Sequence, residues 1–398
     1  MKVLMLGWEI PPHNSGGLGV ACYQLCQSLS ANNVDIEFIL PYEANHNIDF
    51  MKLTAAVARP INEVDLSQQA YDSSRYSVTR EGLNSQSFDY FDEYTMGVQS
   101  VVSSTEFDII HAHDWLTFRA AIAAKQQSGK PLIVHVHATE FDRSGGNHGN
   151  SVVEEIEYFG MMIADRIIAV SQLTKEVIMK HYNIPADKID VIHNSIDPEY
   201  YQSVSPGNDY HYIQKLKENG YSVVTNAGRH TIQKGLHNFL LAAKEVIFRA
   251  PKTIFLLVGA GDQYYELIEH AAGLGISKNV IFADFQRGKR LHDAFEISDL
   301  FVMPSVSEPF GLVPLEAIHF GTPTLVTKQS GVAEILHNAL KVDYWDVGNM
   351  ANQITAVIQS NNLGSTLLSA QQEDMRRSSW SSAAKNIVGI YESSVRSV

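Results

Sequence analysis

Two glutamates, Glu308 and Glu316, stand eight positions apart in PSVSEPFGLVPLEAIHFGTP, residues 304–323. Between them lie Gly311 and Leu312, then Pro314, which suits a first helical turn, and Gly321 follows where such a helix would end. A helix start carries free N–H groups and partial positive charge, so it suits an anion. Taken singly, Glu316 is an ordinary first-turn carboxylate and Glu308 a loop carboxylate. Together, flanking a place that can hold a phosphate, they point to a ligand with both hydroxyls and phosphates.

Three further stretches carry chemistry. NAGRHTIQKGL (226–236) offers Arg229 and Lys234 five residues apart after an apolar run. Both can converge on one diphosphate, Arg as a fork and Lys as a point charge, against the plainer reading of two solvated cations. HNSGGLGVA (13–21) is a glycine-rich turn whose backbone, Gly17 included, can approach a phosphate. It is not the dinucleotide fingerprint, and ILPY at the end of the second apolar run offers no acid for a ribose. IIHAHDW and VHVHATE each hold His-x-His, which in a strand puts His111 with His113 and His135 with His137 on one face. Imidazole pairs of this kind are zinc ligands in a metal-dependent hydrolase, and buried hydrogen-bonded histidines elsewhere.

The elements that must position these groups follow from hydrophobic pattern. KVLML, DIEFIL, FDIIHAH, PLIVHVH, RIIAVS and KIDVIHN read as strands alternating with helical stretches such as LGVACYQLCQSLS. After a turn-rich linker, IDPEYYQSVSPGNDYHY, the alternation resumes with YSVVTNAGR, KTIFLLVGAG, NVIFADF, DLFVMPS and TPTLVT. This is the pattern of parallel, doubly wound α/β sheets, which bind ligands at the carboxyl ends of their strands. It predicts two Rossmann-like domains facing across a cleft, residues 1–204 and residues 205–375. Residues 376–398, with SSWSSAAKNIVGIYESSV, form a last helix. Within residues 50–100, NSQSFDYFDEYTMGVQS reads as a polar loop region.

Length and composition agree. A chain of 398 residues calls for two or three domains, and 45% hydrophobic with 19% charged residues is the composition of a soluble globular protein. A formal charge of −14 argues against nucleic acid or anionic membrane as a partner, so an anionic substrate must meet locally placed cations. MKVLMLGWEIPP breaks too early for a signal peptide, and no stretch is long enough to span a membrane. The only cysteines, Cys22 and Cys26, read as helix packing residues in a reducing cytoplasm.

With SGGLG, IIHAHDW, HVHATEFDR, VIHNSID, GRHTIQKG and above all SEPFGLVPLEA in place, the chain resembles a family 4 glycosyltransferase of the two-domain GT-B kind, glycogen-synthase-like. The resemblance implies retaining transfer of a hexose, with UDP- or ADP-glucose as donor, to a saccharide or other acceptor hydroxyl. It implies that Glu308 holds sugar hydroxyls, Glu316 holds the ribose, and Arg229 and Lys234 neutralise the departing diphosphate. N–H groups of Gly17, Gly311 and Leu312 help there, and His137 sits near the sugar. Fixed cations can do what Mg²⁺ does elsewhere, so no metal or other cofactor is expected. The rivals are the metal-dependent hydrolase and a nucleotide-sugar-binding protein without turnover. There are three departures from the family pattern: Asn14-Ser15 stand where a lysine is usual, and Ser195 and Asp284 each replace a glycine.

Overall fold

The computed structural model describes residues 1–14, 16–61, 78–79, 82–83, 85–201 and 207–396, with 78–79, 82–83 and 85–89 described by backbone alone. The chain divides into two compact units, Met1–Asn194 with Ser379–Val398, and Ser195–Ser378. The expected junction at 204/205 lies outside the described residues.

The first unit is built on a seven-stranded parallel sheet in the order β3-β2-β1-β6-β7-β8-β9. Its strands are β1 (Lys2–Leu6), β2 (Asp35–Leu40), β3 (Lys52–Ala55), β6 (Ile109–His113), β7 (Leu132–Val136), β8 (Arg166–Ala169) and β9 (Ile189–Val191). A two-stranded antiparallel pair, β4 (Val78–Thr79) and β5 (Gly82–Leu83), is separate from it. The central strands are covered on both faces, which is why they read as unbroken apolar runs in place of alternation. The order reverses between β1 and β6, and the carboxyl ends at that point are where an open α/β sheet takes a ligand.

One expected loop is a helix. Residues Ser85–Ser104 form twenty residues of α-helix, with Tyr90, Phe91, Tyr94 and Val98 buried at i, i+1, i+4 and i+8. Trp8, beyond β1, holds this face: its ring centroid lies 5.7 Å from Tyr90, 5.4 Å from Phe91 and 5.4 Å from Tyr94. The tyrosine hydroxyls end on backbone, Tyr90 on Pro41 O and Tyr94 on Gly7 O and Ile39 O. Polar tips made the stretch look like loop, while the rings bury as core.

The last helix, Trp380–Arg396, also belongs to the first unit. Trp380, Ala384, Ile387 and Tyr391 repeat with helical period and are buried against helix Gly17–Ala31. Trp380 Nε1 donates to Gln24 Oε1 at 2.8 Å. Cys22 and Cys26 are buried, unbonded thiols on that same helix.

The second unit carries a six-stranded parallel sheet in the order β12-β11-β10-β13-β14-β15. These are β10 (Ser222–Ala227), β11 (Thr253–Val258), β12 (Val280–Phe282), β13 (Leu300–Met303), β14 (Thr324–Thr327) and β15 (Leu340–Val342). Helices Leu236–Arg249 and Val347–Ile358 pack on it through Phe239, Leu240, Val246, Met350 and Ile354, all fully buried. Each such side chain contributes about 1.5–3 kcal/mol of burial. The order reverses between β10 and β13, so the loops after these two strands flank the ligand position. Among the described residues no helix is long and apolar enough to cross a membrane.

Candidate functional site

In the second unit the loop after β10 folds onto the loop after β13. Gly228 and Arg229 leave the strand, one 3-10 turn spans Ile232–Lys234, and Gly235 opens the next helix at φ 65°. A Cβ at Gly235 would lie 2.2 Å from Pro304 O, so only glycine allows this approach. The two loops are then sewn together: Val306 N–H donates to Gln233 O at 2.8 Å, and Gln233 Nε2 to Ser307 O at 2.9 Å.

That stitching brings Lys234 to Glu308. The ammonium donates to the carboxylate Oε2, which also accepts from Ser305 Oγ at 3.0 Å. The Glu308 backbone is pinned as well, its N–H on Gln329 O and its carbonyl accepting from Gly331 N–H, each at 2.9 Å. Glu308 is therefore a buried acceptor, held through its backbone and paired with one cation. Arg229 stands at the carboxyl end of β10 and is half-buried.

Gly311, at φ 97°, turns the chain into helix Val313–His319, for which Leu312 is the N-cap and Pro314 fits the first turn. Glu316 lies in that first turn. Its Oε1 accepts from Tyr201 Oη at 2.9 Å. Loss of water pushes the Glu316 carboxyl up to about 7, with the tyrosine hydroxyl pulling the other way. Tyr201 comes from the stretch read as linker.

At the end of β12, Asp284 occupies φ 43°, a left-handed conformation that glycine adopts most easily and Asp tolerates. Its carbonyl accepts from Gly259 N–H and its carboxylate from Tyr264 Oη, both at 2.8 Å. The departure from glycine there thus gains a side-chain partner. The structure gives no reason for Ser195, and Ser15 lies outside the described residues.

In the first unit, Gly17 begins helix Gly17–Ala31 behind an extended Gly16. The fully buried Glu9 carboxylate reaches this start and accepts from Gly19 N–H at 3.1 Å. The helix N-terminus expected to face a phosphate therefore already meets an internal carboxylate. Asn14 Nδ2 donates to Gly16 O at 3.0 Å and closes the turn.

The two His-x-His pairs join into one cluster, because β6 and β7 are neighbours and His113 is opposite His135. Ring centroids are 4.5 Å apart for His111–His113, 5.4 Å for His111–His135 and 4.3 Å for His135–His137. His113 Nδ1 and His137 Nε2 share a hydrogen bond of 3.0 Å, and His111 Nδ1 meets Tyr391 Oη at 2.5 Å. Burial holds all four imidazoles neutral, His111 and His137 down to about 3 and His113 and His135 well below the usual range.

The ligand atoms of His111, His113 and His135 lie within 4.8 Å of one another, as do those of Cys22, His113 and His137. Metal binding needs lone pairs that converge on one point. The His111 ring is stacked on His113 and on His135, inclined by 24° and 15°, so the in-plane lone pairs of these rings lie in nearly parallel planes. Burial also raises the Cys22 thiol well above its ordinary range, and the protonated form is a poor ligand.

Asp114 follows β6 at φ 57°, ψ 169°, a region that glycine alone enters freely and that costs other residues about 1–3 kcal/mol. It is the N-cap residue of helix Trp115–Ser128, yet its side chain does not cap that helix. Its Oδ1 instead accepts from His137 N–H at 2.6 Å and Ala138 N–H at 3.3 Å. Burial pushes this carboxyl up to about 7, against Arg143 and the two amides. In IIHAHDW the sequence shows Asp114 only as an acid that follows a strand.

A groove of about 390 Å³ in the first unit, lined by Phe141, His148, Glu154, Tyr158 and His181 among others, contains none of the expected site residues.

Two doubly wound parallel sheets, each with ligand-type groups at its switch-point loops, define a GT-B fold. HepE of Anabaena, solved in complex with UDP and glucose, shares it at TM-score 0.73, 20% identity and coverage of 99% of this chain and 100% of that one. The Glycosyltransferase Family 4 pattern matches residues 15–200, and the Glycosyl transferases group 1 pattern residues 211–373. The chain belongs to the family 4, group 1 glycosyltransferases, enzymes that transfer a sugar from a nucleotide sugar. An uncharacterized glycosyltransferase of Methanocaldococcus jannaschii is 27% identical over 98% of both chains. The glycogen synthase of Mycobacterium tuberculosis is 25% identical over 85% of this chain and 80% of its own.

Proposed function

We propose that the enzyme is a retaining hexosyltransferase that moves glucose from UDP-glucose to a saccharide or other acceptor hydroxyl without a metal or other cofactor. The observation that carries this is the Lys234–Glu308 pair held at the switch point of the second sheet. A ligand with a diphosphate next to a sugar matches a fixed cation next to a fixed carboxylate. The UDP and glucose bound by HepE and the likeness to a glycogen synthase support the choice of donor.

In this reading the bond from the anomeric carbon to the phosphate oxygen breaks while the acceptor oxygen bonds to the same face of that carbon. The acceptor proton passes to the leaving phosphate. Negative charge grows on the departing oxygen, and Arg229 and Lys234, with N–H groups of Gly311, Leu312 and Gly17, stabilise it without reorganising. Glu308 accepts from sugar hydroxyls, Glu316 accepts from the ribose, and the neutral His137 hydrogen-bonds the sugar.

A thermal-shift screen of nucleoside-diphosphate sugars tests the donor, since a ligand at a hundred times its Kd stabilises by about 2.7 kcal/mol. Proton NMR of the product then reads the anomeric configuration. No shift with any nucleotide sugar, or an inverted product, sinks the proposal.

A further inference from the structure

Asp114 makes a choice that stability alone does not explain. Aspartate is among the best N-cap residues, accepting from the free N–H groups of the turn that follows it. Here helix Trp115–Ser128 is closed by the Asp114 carbonyl, which accepts from Thr117 N–H at 3.1 Å and Thr117 Oγ1 at 3.0 Å. The carboxylate is turned away from its own helix, and the backbone is held in a conformation proper to glycine. What the turn obtains in return is a pair of hydrogen bonds to His137 N–H and Ala138 N–H, on the loop leaving β7.

The same residue ties the strands below, its N–H donating to His135 O at 3.0 Å. So β6 and β7 are joined at their carboxyl ends from both sides of one residue. The His137 ring is fixed separately by His113 Nδ1. Beyond it, Thr139 caps the short helix Glu140–Arg143, with Asp142 Oδ2 accepting from Thr139 N–H at 2.9 Å. His137 and Ala138 are the two residues between the strand and that cap, and Asp114 holds both amides.

We propose that Asp114 is a positioning residue for sugar transfer: its carboxylate clamps the backbone at His137 and Ala138 and so fixes the imidazole where the donor sugar is met. The proposal rests on the role given to His137 above. Asp114 touches no reacting atom; it acts through the loop.

Two substitutions separate positioning from fold. Asp114→Gly removes the clamp while relieving the backbone, so the protein should melt no lower than the wild type. Its kcat should fall on the order of 10²-fold, the usual effect of an ångström-scale misplacement, with donor KM changed by less than about threefold. Asp114→Asn keeps an acceptor oxygen on the two amides and should stay within about tenfold of wild-type kcat. Amide hydrogen exchange at residues 137 and 138 should be at least about tenfold faster in Asp114→Gly and near wild type in Asp114→Asn. A glycine variant with wild-type kcat overturns the proposal, and so does one that unfolds, which would make Asp114 structural. If the wild type transfers sugar from no nucleotide sugar, the transfer reading falls. The clamp is then judged on exchange alone, and unchanged rates in Asp114→Gly refute it.

Discussion

Tyr201 donates its hydroxyl to Glu316 across 115 positions of sequence, at 2.9 Å, and so opposes the burial that raises this carboxyl to about 7. Removing the hydroxyl as Tyr201→Phe must raise the carboxyl further, because the charged form loses its hydrogen bond. With the ribose held by ionised Glu316, nucleoside-diphosphate affinity should rise with pH through this ionisation. The variant's curve should lie to the alkaline side, weaker at pH 7 and recovered near pH 8.5. Calorimetric titrations from pH 6 to 9 check this; superimposable curves would remove Glu316 from the nucleotide.

The two glutamates should separate by ligand. Glu316→Gln is expected to weaken free nucleoside diphosphate and intact donor alike, since both contain the ribose. Glu308→Gln should leave free nucleotide within about threefold and lower turnover by roughly 10²–10³. Equal loss of free-nucleotide affinity in both variants would mean that the pair only builds the loop and helix start.

Transfer should survive saturating EDTA, and Lys234→Ala should lower kcat by roughly 10²–10³ through loss of charge on the leaving group. Metal analysis accompanies the assay. Stoichiometric zinc with activity lost on chelation would make the histidine cluster the reaction centre in place of Lys234 and Glu308.

The buried histidines give acid sensitivity of definite sign. His135 has a folded pKa far below its unfolded one, so below about pH 6.5 the unfolded chain takes a proton that the native state refuses. Stability from this group is present above that pH and is lost as pH falls. Asp114, Glu157 and Glu316, raised to about 7, act the other way: they favour the fold below the ordinary carboxylate range and lose that contribution as pH rises towards 7. The wild-type slope is thus a partial cancellation. His135→Leu should remove one proton from it, changing the slope between pH 4.5 and 5.5 by about 1.4 kcal/mol per unit. Urea denaturation at several pH values measures this, and an unchanged slope would mean that His135 is protonated in the native protein.

Gly235→Ala should lower the melting temperature of the second unit and uncouple Lys234 from Glu308. Its Cβ would meet Pro304 O at 2.2 Å, and the backbone is left-handed there. A variant with wild-type melting and activity would show that the two loops have room to part.

Much of this architecture is legible in the sequence, since each apolar run named at the outset forms a strand of one of the two sheets. Other elements are not, β3, β15 and helix Ser85–Ser104 among them. β3 (KLTA) is a half-polar edge strand whose Lys52 pairs with the buried Glu37 of β2, and β15 is only three residues long. Helix Ser85–Ser104 hides its core face behind tyrosines and acids. Within the candidate site, residue types and strand-end positions of Arg229, Lys234, Glu308 and Glu316 are readable. Their partners are not: Lys234 meets Glu308 from 74 positions away, and Tyr201 comes from a stretch that looks like linker. The contacts of Asp114 depend on its backbone torsion, which residue type does not report.

The return of helix Trp380–Arg396 to the first unit makes the second unit an insertion, with the chain crossing at 194/195 and again at 378/379. On the ribosome this imposes an order. At 5–20 residues per second, about 10–40 s separate the emergence of β9 from that of the last helix. Through that interval Gln24 lacks Trp380 and His111 lacks Tyr391, so a buried face of the first unit stays open to water. The second unit, continuous in sequence, has no such wait. The half of the enzyme that is made first is therefore the half that is finished last.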